Sequence, residues 1–325
     1  MQAAGFIILS VLGTAAFTLV LRGTLAAWPI GLAGSFSRVV TLALLGGWVL
    51  ARGSGWRRLR SGGVGKTLLL MGAVSIAINL LWFGAMKLTT ATNVAMLLCL
   101  DLVFVVLIGA LLGLERIGWR QLALLPVLLL GMSLLTGAGR EGWGGHFLGD
   151  LMAVAAALAY AANAFIIRGI LRTMDEEAVS LYNHGISTLG FMALVLLGGE
   201  LRSAETALWQ PAAWLWILAL GVTAALSLPL YYAALRRTAV WKLRAWTLSA
   251  PVLVAVFDWL IWDTHLDFGQ CVGAALVLGG LAVLVHIESR AMLEKNDLAS
   301  VASKVNGAIA AESLVVPGAG TGSSP

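Results

Sequence analysis

In the stretch "TNVAMLLCLDLVFVVLIGALLGLERIG", residues 92–118, Asp101 sets a carboxylate in the middle of a run that would otherwise dissolve in lipid. Arg38 sets a guanidinium in a second apolar run, nine residues past Pro29. At the helical rise per residue, Asp101 lies roughly 16 Å and Arg38 roughly 13–14 Å from the start of its helix. Opposite charges at such depth either pair or face a water-filled cavity. As a pair, the two would staple their helices together. As a site, Arg38 would clamp a substrate carboxylate, while Asp101 tuned it or carried a coupling proton. Both alternatives stand at this point.

Further polar and aromatic residues recur at helical spacing. Asn93, Leu97 and Asp101 share one stripe, as do Lys242, Trp246 and Ala250. Arg244 lies within the same segment as Lys242 and is the alternative carboxylate clamp. Ser75, Asn79 and Trp82 form one polar–aromatic face, and Thr223, Ser227 and Tyr231 another. Tyr160 and Asn163 stand three apart, and Tyr182, Asn183 and His184 are consecutive. His184 is a second candidate for proton coupling, because imidazole titrates nearest neutrality; the bland alternative is a packing histidine. Trp82, Tyr231 and Trp246 offer flat surfaces on which a substrate ring would stack.

The same residue types argue against other chemistry. An intramembrane enzyme needs a nucleophile–base pair, paired aspartates or clustered histidines. His146, His184, His265 and His286 are scattered instead. No cofactor or metal site is expected, and Cys99 and Cys271 both fall in apolar runs. The segment "SGGVGKT", residues 61–67, mimics a phosphate-binding loop, but Arg60 stands where that loop needs its first glycine. A channel would favour a ring of repeated subunits over the unlike polar stripes found here.

The elements that position these residues follow from composition. Of 325 residues, 60% are hydrophobic and 11% charged, too few charges to clothe a soluble protein of this size. Breaking the chain at Pro, Gly and charge clusters gives ten spans, near 4–24, 29–51, 66–87, 90–114, 119–137, 148–170, 178–199, 211–235, 240–262 and 268–288. The first has no basic leader or cleavage signal and is read as retained. With the amino terminus in the cytoplasm, inside segments hold 16 basic residues and outside segments 4. That bias predicts cytoplasmic N and C termini and gives the excess of basic residues an explanation that needs no nucleic acid. Trp28, Trp119, Trp143, Trp209 and Trp262 fall at span ends, as an interfacial belt requires. Residues 291–325 are expected to form a disordered cytoplasmic tail, with a vector-derived end as one reading.

The chain also resembles itself. "WFGAMKLTTATNVAM" (residues 82–96) aligns with "YYAALRRTAVWKLRA" (231–245) at an offset of 149, which also brings Gln121 onto Gln270. "LVLRGTL" (19–25) aligns with "FIIRGIL" (165–171) at an offset of 146, and this places Phe36-Ser37-Arg38 on Tyr182-Asn183-His184. Two repeats are expected, at 1–142 and 143–290. Because five is odd, duplicated five-helix halves insert in opposite senses, the inverted-topology arrangement of many secondary transporters. The fold class expected is an all-α polytopic membrane protein of ten helices in two inverted repeats.

The segment "TATNVAMLLCLDLVFVVLIGALLGLERIGWRQLALLPVLLLGMSLL", with this topology, resembles the EamA-type modules of the drug/metabolite transporter superfamily over roughly residues 1–290. Such modules carry a proline where Leu102 stands; Pro251 in "SAPVLV" keeps it in the second half. Glu115, Arg116 and Gln121 match the module's Glu-Arg and Gln, whereas the second copy keeps only Gln270. In character the chain is most similar to the YddG-type exporters of aromatic amino acids. The resemblance implies export from the cytoplasm through a central cavity lined by helices 1–4 and 6–9, with helices 5 and 10 peripheral. The expected function is export of small organic metabolites, foremost amino acids with aromatic side chains, by alternating access across a bacterial-type inner membrane. The alternative is an exporter or permease of the same superfamily for another metabolite or drug. The partners expected are a small amino-acid-like substrate and the lipid bilayer. The small-residue face Gly109–Gly113 would serve helix contact or a homodimer surface.

Overall fold

Stretches this uniformly apolar bury nothing by turning one face inward, so each must satisfy its own backbone as a helix across the bilayer. The computed structural model describes residues 2–52, 65–89, 91–115, 117–137, 147–200, 209–262, 266–287 and 289–290. Among them are ten helical spans long and apolar enough to cross a membrane, and no strand. The spans are α1 (Gln2–Ala27), α2 (Ile30–Arg52), α3 (Gly65–Leu88), α4 in two pieces (α4a, Ala91–Leu98; α4b, Asp101–Leu111) and α5 in two pieces (α5a, Trp119–Leu122; α5b, Leu125–Thr136). They continue with α6 (Phe147–Ile170), α7 (Glu176–Gly198), α8 (Pro211–Arg237), α9 in two pieces (α9a, Val240–Thr247; α9b, Ser249–Trp262) and α10 (Phe268–Ile287). Arg57, Arg58, Arg60, Arg116, Arg140, Arg202, Trp143, His146, His265, the side chains of Asp258 and Trp262, and residues 291–325 lie outside the described residues.

Residues Met1–Gly279 cluster as one unit and Gly280–Pro325 as another, and the packing described here is that of the first. Its neighbours come in matched sets. α1 packs on α8 as α6 packs on α3; α2 packs on α8 as α7 packs on α3; α1 meets α9b as α6 meets α4b; and α2 meets α7. Advancing every span by five returns the same set of pairs.

Small residues let these helices approach closely, which in lipid is the chief source of helix–helix attraction. α6 turns Ala153, Ala156, Ala157, Ala161 and Ala164 toward its neighbours, each essentially fully buried. A Cβ on Gly149 would sit 2.8 Å from the backbone of Leu88 and Thr89, and one on Gly221 would sit 2.8 Å from the Ser37 carbonyl. α5b and α10 meet in the same way, a Cβ on Gly131 lying 3.0 Å from the Gly273 carbonyl. The expected Gly109–Gly113 contact face is corrected. Gly113 has φ +61° and nothing within 4 Å of an added Cβ. It follows the end of α4b, where a left-handed residue closes the helix.

Three spans that read as continuous in the sequence are broken, α5 near its start and α4 and α9 at matching positions. In α4 the Cys99 N–H reaches Met96 O at 3.0 Å and the Leu100 N–H reaches Leu97 O at 3.1 Å, three-residue steps in place of four. In α9 the Leu248 N–H likewise reaches Ala245 O at 3.2 Å. Cys99 and Leu248 are 149 residues apart, the offset of the repeat. Pro251 explains the α9 break, since it has no N–H to give to the Thr247 carbonyl. The α4 break has no proline: Leu102 stands at the matching position.

Candidate functional site

The α4 break explains how a carboxylate is held in the membrane. Asp101 occupies the first turn of α4b, where unpaired N–H groups and the helix dipole favour negative charge. Its main partner is Arg244, whose Nη1 lies 2.9 Å from Oδ2, the two side chains being 16% and 14% exposed. Arg244 sits in α9a one turn before the α9 break, and α4b packs on α9a. The ion pair therefore joins these two broken helices.

This corrects the expected Arg38–Asp101 pair. The two residues do lie at similar depth, but α2 packs on α7 and α8 while α4b packs on α6 and α9a. Equal depth fixes height along the bilayer normal and leaves the neighbour undetermined. Arg38 instead lies over the Phe191 ring, 5.4 Å from its centroid. Its Nε is buried with no hydrogen-bond partner among the described residues.

Arg38, Asp101 and Arg244 all line one cavity of about 700 Å³. The aromatic wall contains Tyr160 and Tyr231, whose rings lie 5.9 and 5.3 Å from the Arg244 guanidinium. Tyr160 and Tyr232 interact electrostatically with both Arg38 and Arg244, which puts the two guanidiniums at one site. Trp82 also faces the cavity and stacks on Phe83 at 5.0 Å. A polar relay completes the lining. The Asn163 Nδ2 donates to Ser75 Oγ at 3.2 Å, the Ser75 hydroxyl to Asn183 Oδ1 at 2.7 Å, and the Asn183 Nδ2 to the Tyr232 hydroxyl at 2.9 Å. Asn79 and His184 are buried and border the same space. His184 keeps a buried Nε2 without a partner among the described residues.

Three expected site residues lie off the cavity. Asn93 hydrogen-bonds Thr89 at 3.3 Å, and Thr89 donates to Asp150 at 2.7 Å, a group that ties together the ends of α3, α4a and α6. Trp246 packs on Val11, Ala15 and Ala250 against α1. Asn93 precedes the α4 break, where a tighter turn costs a stripe drawn at i, i+4 and i+8 its register. Trp246 lies two residues past Arg244 on α9a, roughly 200° around the axis, so the face that turns Arg244 to the cavity turns Trp246 away. Tyr182 points toward Gly72. Successive helical residues fan out by roughly 100°, so a consecutive Tyr182-Asn183-His184 cannot all face one space, and Asn183 and His184 are the two that do. Ser75 and Asn183 belong to the polar sets read from the sequence, and Tyr232 is the member of this relay that was not singled out in advance. Its signal was the pairing of Tyr232 with Tyr231 in the sequence.

The cavity wall includes Leu135 and Thr136 at the end of α5b, and Leu266 and Gln270 around the start of α10. Helices 5 and 10 thus contribute to its rim, although the family resemblance implied that they stand apart. At the opposite ends of the spans, the acidic start of α7 is bound by arginines. Glu177 meets Arg52 of α2 at 3.2 Å, and Glu176 meets Arg236 and Arg237 of α8 at 3.1 and 3.0 Å. Glu115 there accepts from Arg168 and from the N–H groups of Val240 and Trp241, capping α9a. No group of three metal-binding side chains comes together among the described residues.

Two stretches, residues 1–137 and 147–286, match the model of the EamA-like transporter family. A solved structure titled only "Crystal structure of protein" superposes with a TM-score of 0.76 at 22% identity, over 89% of this chain and 98% of that one, a likeness of fold alone. No curated protein matches the chain. Ten membrane-length helices and a family match over most of the sequence make this a multi-pass membrane protein, and the chain belongs to the EamA-like transporter family of the drug/metabolite transporter superfamily.

Proposed function

We propose that the protein is a secondary transporter that exports small organic metabolites bearing a carboxylate and an aromatic ring, foremost aromatic amino acids. Its two five-helix halves act as inverted repeats that alternate access to the central cavity. The carrying observation is the meeting of two guanidiniums, Arg38 and Arg244, with Tyr160, Tyr231 and Trp82 around one membrane-embedded space. Guanidiniums there call for an anion, since a charge in the membrane is tolerated when paired or wet. The flat rings beside them offer apolar area and stacking at about 0.5–1.5 kcal/mol beyond burial.

The matched helix pairs support an inverted repeat, because exchanging the halves returns α1–α8 onto α6–α3, α2–α8 onto α7–α3 and α1–α9b onto α6–α4b. The two broken spans at equivalent positions support it as well, discontinuous helices near midplane being a common way to build transporter sites. The basic-residue bias favours cytoplasmic termini and a bacterial-type inner membrane. Asp101 and His184 remain the candidates for proton coupling. Counterflow in proteoliposomes tests the assignment. Labelled phenylalanine should accumulate transiently against an internal pool of unlabelled phenylalanine, and a chain that catalyses no counterflow with any ring-bearing carboxylate would not be this carrier.

A further inference from the structure

Two of the ion pairs among the described residues, Arg168–Glu115 and Arg244–Asp101, are built differently. Glu115 is 3% exposed and is filled by the Arg168 guanidinium and the Val240 and Trp241 N–H groups, a carboxylate with its donors satisfied. Asp101 and Arg244 instead face the cavity at 14% and 16% exposure. Arg244 keeps a buried Nε with no hydrogen-bond partner among the described residues, as does Arg38. A pair whose purpose was to staple two helices would close off its donors as Glu115 does.

Resting on the transport reading above, we propose that Asp101 and Arg244 form a self-occupied substrate site. In the empty carrier each holds the other, and an α-amino acid enters by exchange. Its ammonium takes Asp101, and its carboxylate takes Arg244 together with Arg38. The geometry suits this class of molecule. Ammonium and carboxylate sit on one carbon, roughly 3 Å apart by covalent geometry, and the two protein groups that would receive them are neighbours, Nη1 and Oδ2 being 2.9 Å apart. The cavity's described lining holds two guanidiniums against one aspartate; a zwitterion leaves that balance unchanged, so its carboxylate bridges Arg244 and Arg38. Tyr160 and Tyr231 then flank the side chain.

Exchange leaves every charge beside an opposite one, the ligand carboxylate serving both guanidiniums, which matters because removing one partner of a buried pair is far costlier than substituting it. A ring-bearing acid without an amine would strand Asp101 if it took both guanidiniums, and would forgo Arg244 if it stayed on Arg38. A ring-bearing amine without a carboxylate would claim Asp101 and strand Arg244. The site therefore rejects both relative to the amino acid. The exchange also parts α4b from α9a, so occupancy and helix movement share one event.

The test uses the full chain in proteoliposomes preloaded with labelled phenylalanine, with external phenylalanine, 3-phenylpropionate or phenethylamine driving exchange. Phenylalanine is expected to exceed each analogue by about 10-fold or more, the worth of one charge-assisted hydrogen bond. In Asp101→Asn the ratio of phenylalanine to 3-phenylpropionate is expected to fall by about the same factor, because Arg244 is then free for any carboxylate. The wild-type comparison stands without the variant if Asp101→Asn fails to fold. Either analogue exchanging as readily as phenylalanine in the wild type, or a ratio unchanged in a folded Asp101→Asn, overturns this inference and leaves the transport proposal intact. Exchange of none of the three overturns both.

Discussion

Arg38 is the residue whose chemistry is least accounted for by the protein itself. Its guanidinium has an aromatic ring beneath it and phenolic oxygens near it, which soften the burial of a cation without neutralising it. A ligand carboxylate would complete the set with a bidentate pairing that an ammonium cannot copy. Arg38→Ala is accordingly expected to lower exchange of an aromatic amino acid by about 10-fold or more, and Arg38→Lys to recover only part of it. Normal accumulation of both variants with undiminished exchange would remove Arg38 from the site. Asn93→Ala offers the contrast. Its hydrogen bonding runs to Thr89 away from the cavity, so the expected result is wild-type exchange with a stability loss on the order of 1 kcal/mol, read as a small drop in melting temperature in detergent.

At the scale of the element, what holds one helix against another is the absence of side chains at chosen points. Gly149→Ala drives a methyl into the backbone of Leu88 and Thr89, 2.8 Å away, so α3 and α6 must separate, at about 1–3 kcal/mol. Gly46→Ala meets nothing within 4 Å and should be neutral or stabilising by up to about 1 kcal/mol through helix propensity. Thermal unfolding of the two variants in one detergent checks the contrast, and equal midpoints would mean that the α3–α6 contact is not limiting. The spans themselves were legible in the sequence because bilayer thickness sets a length and composition marks it. The ends of α2, α8 and α10 fall within two residues of the sequence estimate. The break in α4 was not legible, since Cys99-Leu100 carries neither proline nor glycine. From that omission came the misplaced Asn93, whereas Trp246 stands two residues past Arg244 on the same short helix and so faces away from it. The partner of Asp101 was missed for another reason: hydropathy gives depth, and depth alone does not distinguish Arg38 from Arg244.

At the scale of the whole molecule, the ion pairs at the start of α7 would, under the proposed alternating access, bear on which face is open. The cavity wall reaches the α5b terminus and the start of α10. Glu176 and Glu177 bind Arg52, Arg236 and Arg237 at the other face and so link α7 to α2 and α8 there. These pairs are substantially exposed, with the arginines at 58%, 37% and 36%, so each contributes no more than about 1 kcal/mol and weakens with salt. Three together can bias a two-state equilibrium by roughly 5- to 30-fold, enough to set the resting face yet small enough for a substrate to reverse. Glu176→Gln with Glu177→Gln should therefore raise access to the cavity from the α7 start without abolishing exchange. A single cysteine at Ser227, which lines the cavity, reports this in a chain whose Cys99 and Cys271 are serines. Its modification by a membrane-impermeant thiol reagent is expected to accelerate about 5-fold or more from the face bearing Arg237 in the double variant, and high salt should mimic that change in the unmutated gate. If labelling from that face is indifferent to both the substitutions and salt, closure there is maintained by helix packing, and the arginines serve only to anchor the spans at the membrane surface.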